Sequence, residues 1–176
     1  SLSVEANVVI SISPLPEYIL EKRQSGIDAI FSKVLLNKES YLAGIKHLNR
    51  LTQVLVANEA ASKGVDEALV FSEDGLVIEG SKSNVFFVYG EKIKTPFIED
   101  YGVAGIMRQR VMDVAQEAGY MVEEANLTLD HLLDVTEVFV TNCVIGVWPV
   151  ATLNEREFEN FECAKKLQQL VVEDVA

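Results

Sequence analysis

Two β-hairpin signals follow one another in the middle of the chain, and they constrain the fold more than any other feature. Residues 68–72 and 76–79 are largely apolar runs that flank Asp74-Gly75, a dipeptide typical of tight hairpin turns. Residues 84–89 and 92–95 repeat the pattern around Gly90-Glu91. Because strands joined by such short turns pair antiparallel, this part of the chain predicts an antiparallel meander.

Further strands and helices interleave on both sides of the hairpins without a strict strand–helix–strand period. Apolar patterning predicts strands at residues 4–12, 27–36, 120–124 and 137–141. Helical spacing predicts helices at about residues 47–62, 105–119 and 128–133, and from about residue 159. In the first of these helices Leu48, Leu51, Val54 and Leu55 make an apolar stripe, with Gly64 as the stop. The prediction is a mixed α/β (α+β) fold: one domain with a mostly antiparallel sheet or pseudo-barrel flanked by helices.

The composition describes a folded protein and argues against several kinds of partner. The 176 residues are 49 % hydrophobic and 24 % charged, which suits a chain with a sizeable core. A formal net charge of −12 argues against a nucleic-acid surface, which would show clustered Lys and Arg. No apolar run reaches the roughly 20 residues that span a bilayer. With 2 cysteines, 2 histidines and no CxxC pair, we expect no metal site and a reduced, cytoplasmic protein.

Two segments carry residues that could do chemistry. Lys46 follows Gly44 at the entrance of the predicted helix, with His47 and Arg50 close in sequence. A lysine becomes a nucleophile when burial or a neighbouring cation makes it give up its proton, but a solvated lysine would fit this position too. Glu79 ends an apolar strand just before small polar residues. It could face water at the strand end, or it could be a buried carboxylate that faces a protonated heterocycle.

Two further segments could hold an anion or a ligand edge. Gly102 and Gly105 precede a predicted helix, and glycines there allow a close approach to the free N–H groups that bind anions. Asn142 follows an apolar strand and precedes a turn at Gly146, which could be a ligand edge or an ordinary turn. We interpret Cys143 as a small buried residue, since no base is assigned to it.

Taken together, in this order and spacing, the four segments resemble the fold-type IV pyridoxal phosphate enzymes. That family contains branched-chain aminotransferases, D-amino acid aminotransferases and aminodeoxychorismate lyases. The lysine segment, residues 42–51, is similar to the lyase version, because His47 stands where the transaminases usually carry Ser or Thr. Residues 102–109 are also lyase-like, with Met107 where many transaminases place Thr. The resemblance extends over essentially the whole chain.

The resemblance implies roles for particular residues around a bound pyridoxal 5′-phosphate. Lys46 matches the lysine that bonds covalently to the cofactor and later moves protons. Glu79 matches the carboxylate that pairs with the pyridine nitrogen and keeps it protonated. Val103 matches the apolar residue that packs against the ring, and Asn84 matches the asparagine that closes the turn after the glutamate.

The phosphate end of the cofactor is matched by a second group of residues. The N–H groups of Ile106 and Met107 match donors at a helix start. Asn142 and Cys143 fall where relatives often place hydroxyl ligands to the phosphate. Neither side chain is a hydroxyl, so contact through the backbone is the expectation here.

The resemblance to the lyases also implies an activity, and two alternatives stay open. The reaction would be pyridoxal-phosphate-dependent elimination of pyruvate from 4-amino-4-deoxychorismate to give 4-aminobenzoate on the folate route. The first alternative is a branched-chain or D-amino acid aminotransferase, and the second is a non-catalytic interaction domain. The resemblance implies that residues 1–176 form the large C-terminal domain of a longer enzyme, without its small N-terminal domain. The expected partners are a small-molecule substrate and a second copy in a homodimer, with no nucleic acid and no membrane.

Overall fold

One mixed β-sheet forms the centre of the protein in a computed structural model that describes residues 7–14, 18–38 and 41–173. The helices are α1 (Tyr18–Ser25), α2 (Leu51–Lys63), α3 (Ile106–Glu117) and α4 (Glu162–Glu173), with one 3₁₀ turn at Leu129–Leu132. The strands are β1 (Ile27–Leu36), β2 (Glu67–Ser72), β3 (Val77–Gly80), β4 (Asn84–Tyr89), β5 (Lys92–Pro96), β6 (Met121–Ala125), β7 (Glu137–Asn142), β8 (Gly146–Leu153) and β9 (Arg156–Glu157). Among the described residues, no helix is both long and apolar enough to cross a bilayer.

The order of the strands matches the fold class that the sequence predicts. Eight strands follow one another as β3-β2-β1-β8-β7-β4-β5-β6, and β9 pairs with β8. The pairs β1–β2, β1–β8 and β5–β6 are parallel. The pairs β2–β3, β4–β5, β4–β7, β7–β8 and β8–β9 are antiparallel. The prediction of a mixed, mostly antiparallel sheet flanked by helices is confirmed.

The helices pack on the sheet in two groups, and each group covers a part of the core. Helix α2 contacts β1 and β2 through Val56 and Ala60, which are buried with residues of both strands. Helices α3 and α4 contact each other and the sheet around β7 and β8. There the rings of Phe86 and Phe139 stack with their centroids 4.9 Å apart.

Most predicted strands agree with the structure at both ends. The strand predicted at residues 27–36 has the same bounds as β1. The four strands predicted between residues 68 and 95, and those at residues 120–124 and 137–141, agree with β2 to β7 within one residue at each end. The turn at Asp74-Gly75 forms as expected, with φ of +78° at Gly75 and its N–H donating to the Ser72 carbonyl at 3.0 Å. Short-range turn chemistry therefore fixed the hairpins.

The predicted first strand, residues 4–12, is wrong over the part that the structure describes. Residues 4–6 lie outside the described residues, and residues 7–12 form no strand. Val9 is 91 % exposed and Ile12 is 95 % exposed. An alternating apolar run becomes a strand only when a neighbouring strand supplies its hydrogen bonds, and these residues pair with none of the nine strands.

Helix α2 differs from its prediction at its start and in the face that it buries. It begins at Leu51 rather than near residue 47, because the residues before it form tight local turns, in which the His47 N–H donates to the Ile45 carbonyl and the Arg50 N–H donates to the Leu48 carbonyl. Its end at Gly64 is confirmed by a left-handed φ of 70°. All four residues of the apolar stripe between Leu48 and Leu55 are at least half exposed, while Val56 and Ala60 face the sheet.

Three elements were not predicted, and two others are shorter than predicted. The sequence pattern missed α1, the short strand β9 and also β8, which lies between β1 and β7 and contains Pro149. Proline has no N–H to donate to a neighbouring strand, so Pro149 argues against an inner strand. Strand β8 is nevertheless an inner strand of the sheet. The last helix starts at Glu162 rather than near residue 159, after Asn160 accepts the Glu162 N–H at 3.0 Å. The helix predicted at residues 128–133 forms only the 3₁₀ turn.

Candidate active site

A cavity of about 520 Å³ opens where four segments of the chain meet. These segments are the entry to α2, the β3–β4 turn, the start of α3 and the β7–β8 turn. Every residue that the sequence resemblance assigns to the cofactor lines this cavity: Lys46, Glu79, Asn84, Val103, Ile106, Met107, Asn142 and Cys143. The structure therefore brings together all the predicted site residues, which the sequence separates widely.

Lys46 reaches the cavity because the residues before it are fastened to the loop that precedes α3. The Gly44 N–H donates to the Gly102 carbonyl at 3.0 Å, and the Ala104 N–H donates to the Gly44 carbonyl at 3.1 Å. These bonds make an isolated parallel bridge between Gly44 and Val103. The Lys46 side chain is exposed at the cavity wall, so a ligand in the cavity can reach its amine.

Glu79 is a buried carboxylate, which decides between the two interpretations that its sequence position left open. It lies near the end of β3 and is 3 % exposed. Burial raises the pKa of the Glu79 carboxyl to about 7. The Val103 N–H donates to Oε2 at 2.8 Å and acts to lower that pKa, as do the charges of Arg50 and Lys46. Glu79 thus does not face water at the strand end.

The second oxygen of this carboxylate shows what the cavity is suited to bind. Oε1 of Glu79 is buried and has no hydrogen-bond partner among the described residues. The Nη2 atom of Arg50 lies 4.0 Å from it, which is an ion pair but not a hydrogen bond. A buried acceptor without a donor is costly, so this atom points to a ligand that supplies an N–H. A protonated pyridine nitrogen is such a donor, and the cavity therefore fits pyridoxal phosphate at this end.

Two glycines allow the site to close tightly around Glu79 and Asn84. At Gly102, where φ is +74°, a Cβ atom would lie 2.9 Å from Oε2 of Glu79. At Gly105 a Cβ atom would lie 2.1 Å from Oδ1 of Asn84. Asn84 also donates from Nδ2 to the Val103 carbonyl at 2.8 Å. The loop before α3 is locked to both side chains, and glycine is the residue that leaves room at both positions.

The start of α3 presents backbone donors to the cavity. Gly105 is the N-cap residue, and no side chain caps the helix there. The first intrahelical bond runs from the Gln109 N–H to the Gly105 carbonyl at 3.0 Å. The N–H groups of Ile106 and Met107 therefore precede the first helical bond, and such groups favour anions. These are the two N–H groups that the sequence resemblance matches to the cofactor phosphate.

The β7–β8 turn forms the remaining wall, and here one prediction needs correction. Asn142 donates from Nδ2 to the Lys82 carbonyl at 3.0 Å and accepts the N–H groups of Val144 and Ile145 at 2.8 and 3.0 Å. The Asn142 side chain is thus already hydrogen-bonded within the protein. The interpretation of Cys143 as a small buried residue is wrong: it is exposed, because it lies in the turn after β7.

Several residues of the site were not found from the sequence. The cavity is also lined by Arg50, Lys82, Ser83 and Trp148. The sequence marks Arg50 only as a neighbour of Lys46, and Trp148 lies on a strand that was not predicted. Arg50 and Lys82 give the cavity local positive charge in an acidic chain, which suits an anionic ligand.

Comparison with known proteins shows the family to which the chain belongs. Residues 1–153 match the model of the amino-transferase class IV family. The chain therefore belongs to this family, whose cofactor is pyridoxal 5′-phosphate.

Individual relatives include both lyases and aminotransferases. Aminodeoxychorismate lyase of Vibrio harveyi is 36 % identical over 150 residues, which are 85 % of this chain and 55 % of that protein. The crystal structure of 4-amino-4-deoxychorismate lyase from Pseudomonas aeruginosa has a TM-score of 0.87 at 33 % identity, covering 94 % of this chain and 61 % of that one. The T.th. branched-chain amino acid aminotransferase, complexed with N-(5′-phosphopyridoxyl)-L-glutamate, has a TM-score of 0.80 at 30 % identity, covering 86 % and 52 %. The chain spans little more than half the length of these relatives.

Proposed function

We propose that the protein eliminates pyruvate from 4-amino-4-deoxychorismate to give 4-aminobenzoate, with pyridoxal 5′-phosphate as cofactor. One observation carries the proposal: the unpaired Oε1 of Glu79 shares a single cavity with Lys46 and with the backbone donors that start α3. Such an arrangement can hold three groups of one ligand: a protonated ring nitrogen, a reactive carbonyl and a phosphate. The similarity to lyases in both sequence and structure supports the choice of reaction.

The roles of the residues follow from their chemistry. When bound, the cofactor supplies an electron sink for the charge that develops on the substrate carbon. Glu79, held at Oε2 by the Val103 N–H, holds the proton on the ring nitrogen through Oε1. Lys46 takes the proton from the substrate carbon that carries the amino group. The carbon–oxygen bond to the enolpyruvyl group would then break, with its electron pair leaving on the oxygen as enolpyruvate. Enolpyruvate would take up a proton at its methylene carbon, which the protonated Lys46 can return, to become pyruvate. The aromaticity of the product ring supplies the driving force.

The remaining predicted residues orient the cofactor. The N–H groups of Ile106 and Met107 bind its phosphate, and Val103 packs against the ring. The backbone of the turn at Asn142 and Cys143 adds contacts, since the Asn142 side chain already bonds to the protein. These assignments are supported by the position of each residue on the cavity wall.

The aminotransferases are the alternative within the same family. Two residues favour the lyase. His47 follows the lysine, where the transaminases usually carry Ser or Thr, and Met107 stands at the start of α3, where many transaminases place Thr. The T.th. aminotransferase is nevertheless almost as similar to the chain as the lyases are. Incubation of the full protein with 4-amino-4-deoxychorismate should release 4-aminobenzoate. Transfer of an amino group from a branched-chain or D-amino acid to a keto acid, without that release, would establish the alternative.

The cofactor lysine can be tested separately from the substrate. Lys46→Ala in the full protein should abolish the covalent adduct that borohydride traps between protein and pyridoxal phosphate, together with the activity. Lys82→Ala is the matched control, since Lys82 is a second lysine on the same cavity wall. An adduct that survives in Lys46→Ala and disappears in Lys82→Ala would contradict the assignment. No adduct in the unmodified protein would favour a non-catalytic interaction domain.

We further propose a cytoplasmic homodimer. Ile45, Leu48, Leu51 and Val144 lie on the segments that border the cavity and are more than half exposed, and exposed apolar patches often mark interfaces. Cys143 and Cys163 are both free, as is usual in a reducing compartment. Sedimentation of the full protein should give twice the mass of one chain, and Leu48→Asp should lower the association. A monomer at micromolar concentration would contradict the proposal.

A further inference from the structure

Glu67 is a second buried carboxylate, and the proposed reaction does not use it. It is the first residue of β2 and is 2 % exposed. Its Oε1 atom accepts the N–H groups of Ala68 and Ser81 at 2.9 and 2.8 Å and the Ser81 hydroxyl at 2.5 Å. Its Oε2 atom accepts the Ser83 hydroxyl at 2.7 Å. Three of these four bonds go to the β3–β4 turn, which joins two residues of the cavity.

The turn itself is shaped to receive this carboxylate. The Gly80 N–H donates to the Ser83 carbonyl at 2.7 Å, which closes the turn. A Cβ atom on Gly80 would lie 2.8 Å from Cδ of Glu67 and 2.4 Å from Oγ of Ser83. The absence of a side chain at Gly80 therefore lets the Glu67 carboxylate lie directly against the turn, where it accepts the hydroxyl groups of the buried Ser81 and Ser83.

We propose that Glu67 is a positioning residue, whose buried carboxylate holds the β3–β4 turn so that Glu79 and Asn84 enter the cavity in register with the loop before α3. The inference rests on the proposed role of Glu79 toward the cofactor ring. Glu79 immediately precedes the turn and Asn84 immediately follows it, and both side chains bond to Val103, through its N–H and its carbonyl. A shift of the turn would break both contacts at once.

Glu67 acts on the site through its charge as well as through its hydrogen bonds. The charged groups that act on the Glu79 carboxylate are Lys46 and Arg50 from the entry to α2 and Glu67 from the neighbouring strand. Lys82 lines the same cavity. Lys46 and Arg50 lower the pKa of Glu79, whereas the Glu67 charge raises it. Glu67 therefore influences how readily Glu79 gives up its proton, which a purely structural residue would not do.

Another buried glutamate provides a matched control. Glu137 is 1 % exposed and accepts the N–H groups of Cys163 and Ala164 at the start of α4. It is as deeply buried as Glu67 and also serves backbone donors, but its donors belong to α4 and not to the turn between Glu79 and Asn84. Glu67→Gln and Glu137→Gln should both alter the stability of the fold, and only the first should alter the site.

The experiment measures the dissociation constant of pyridoxal phosphate for the full protein between about pH 5 and about pH 9, the range around the Glu79 pKa. When the dissociation constant is plotted against pH, the inflection that disappears in Glu79→Gln is assigned to Glu79. Glu67→Gln, which keeps the shape of the side chain, should move this inflection to lower pH. Glu67→Ala should raise the dissociation constant by about 10-fold or more, the usual effect of losing a residue that orients a ligand-binding group. Glu137→Gln should leave both quantities as they are.

The possible results separate the two proposals. An unmoved inflection in Glu67→Gln, or a dissociation constant in Glu67→Ala equal to that of Glu137→Gln, overturns the role of Glu67 while that of Glu79 stands. If Glu79→Gln removes no inflection, the role of Glu79 falls and the inference falls with it. Should Glu67→Ala fail to fold, Ser81→Ala removes one hydroxyl contact to Glu67. It should weaken cofactor binding by a smaller factor, and unchanged binding would overturn the inference.

Discussion

The buried charge of Glu79 should make the stability of the cofactor-free protein depend on pH, and Glu79→Gln should remove that dependence. The folded protein holds the Glu79 proton up to about pH 7, whereas an unfolded chain releases it near the ordinary pKa of 4.5. The folded state therefore binds more protons in this window, so its stability falls as the pH rises from about 4.5 to about 7.

The size of the effect follows from the two pKa values. The difference between 4.5 and about 7 corresponds to about 3 kcal/mol in the free energy of unfolding. Because Glu79 is 3 % exposed, solvent screening reduces this little. Since the unfolded chain is already partly ionised at pH 5, about 2 to 3 kcal/mol should be lost between about pH 5 and about pH 8. Gln at this position keeps an oxygen for the Val103 N–H but carries no charge.

Urea unfolding at both pH values provides the assay. The free energy of unfolding should fall by about 2 to 3 kcal/mol more in the unmodified protein than in Glu79→Gln as the pH rises. Glu155→Gln, a change at an exposed carboxylate, should keep the profile of the unmodified protein. Equal pH dependence in the unmodified protein and in Glu79→Gln would refute the claim that Glu79 is a buried, uncompensated carboxylate.

The same variant should separate binding from catalysis. Glu79→Gln should retain bound pyridoxal phosphate, since the contacts at Lys46 and at the start of α3 remain. Its turnover should fall by about 10²-fold or more, because a neutral amide cannot hold the ring nitrogen protonated. Steady-state kinetics at saturating cofactor would measure this, and near-normal turnover would remove Glu79 from the mechanism.

Further predictions concern close packing in the site and in the core. Gly105→Ala should push Asn84 away, because the new Cβ would lie 2.1 Å from its Oδ1. A cofactor titration should then show binding weakened by about 10-fold. Gly119→Ala should leave binding unchanged in the same titration, because its added Cβ meets nothing within 4 Å. Leu69→Ala should lower the free energy of unfolding by about 2 to 5 kcal/mol in urea, since Leu69 is fully buried, whereas Leu51→Ala, 68 % exposed, should lower it by less than about 1 kcal/mol.

Most strands could be predicted because hairpin turns and apolar patterning are properties of adjacent residues. The Asp74-Gly75 turn and the alternation in residues 27–36 are properties of a few adjacent residues, and both appear in the structure. Strand β8 was missed because its acceptance of Pro149 depends on the neighbouring strands, which the sequence pattern does not show.

The face of α2 could not be predicted for a related reason. Leu48 and Leu51 belong to an apolar stripe with helical spacing, but Val56 and Ala60 are apolar on the other side of the helix. When two faces of a helix are apolar, periodicity gives the type of element and leaves its orientation open. The smaller side chains of Val56 and Ala60 pack against the sheet and allow the helix to lie close to it. The larger leucine side chains face outward beside the cavity.

The sequence nominates residues that the structure brings to one cavity, but it does not show the contacts that hold them there. Glu79 could be nominated from the sequence, but its burial is caused by a loop 24 positions further along the chain, whose Val103 N–H it accepts. Glu67, which holds the turn after Glu79, gave no signal, since a glutamate at the start of a strand is usually exposed. A fold that keeps Oε1 of Glu79 buried and without a donor is destabilised at neutral pH. Stability cannot explain such an arrangement, whereas a ligand that brings its own N–H can.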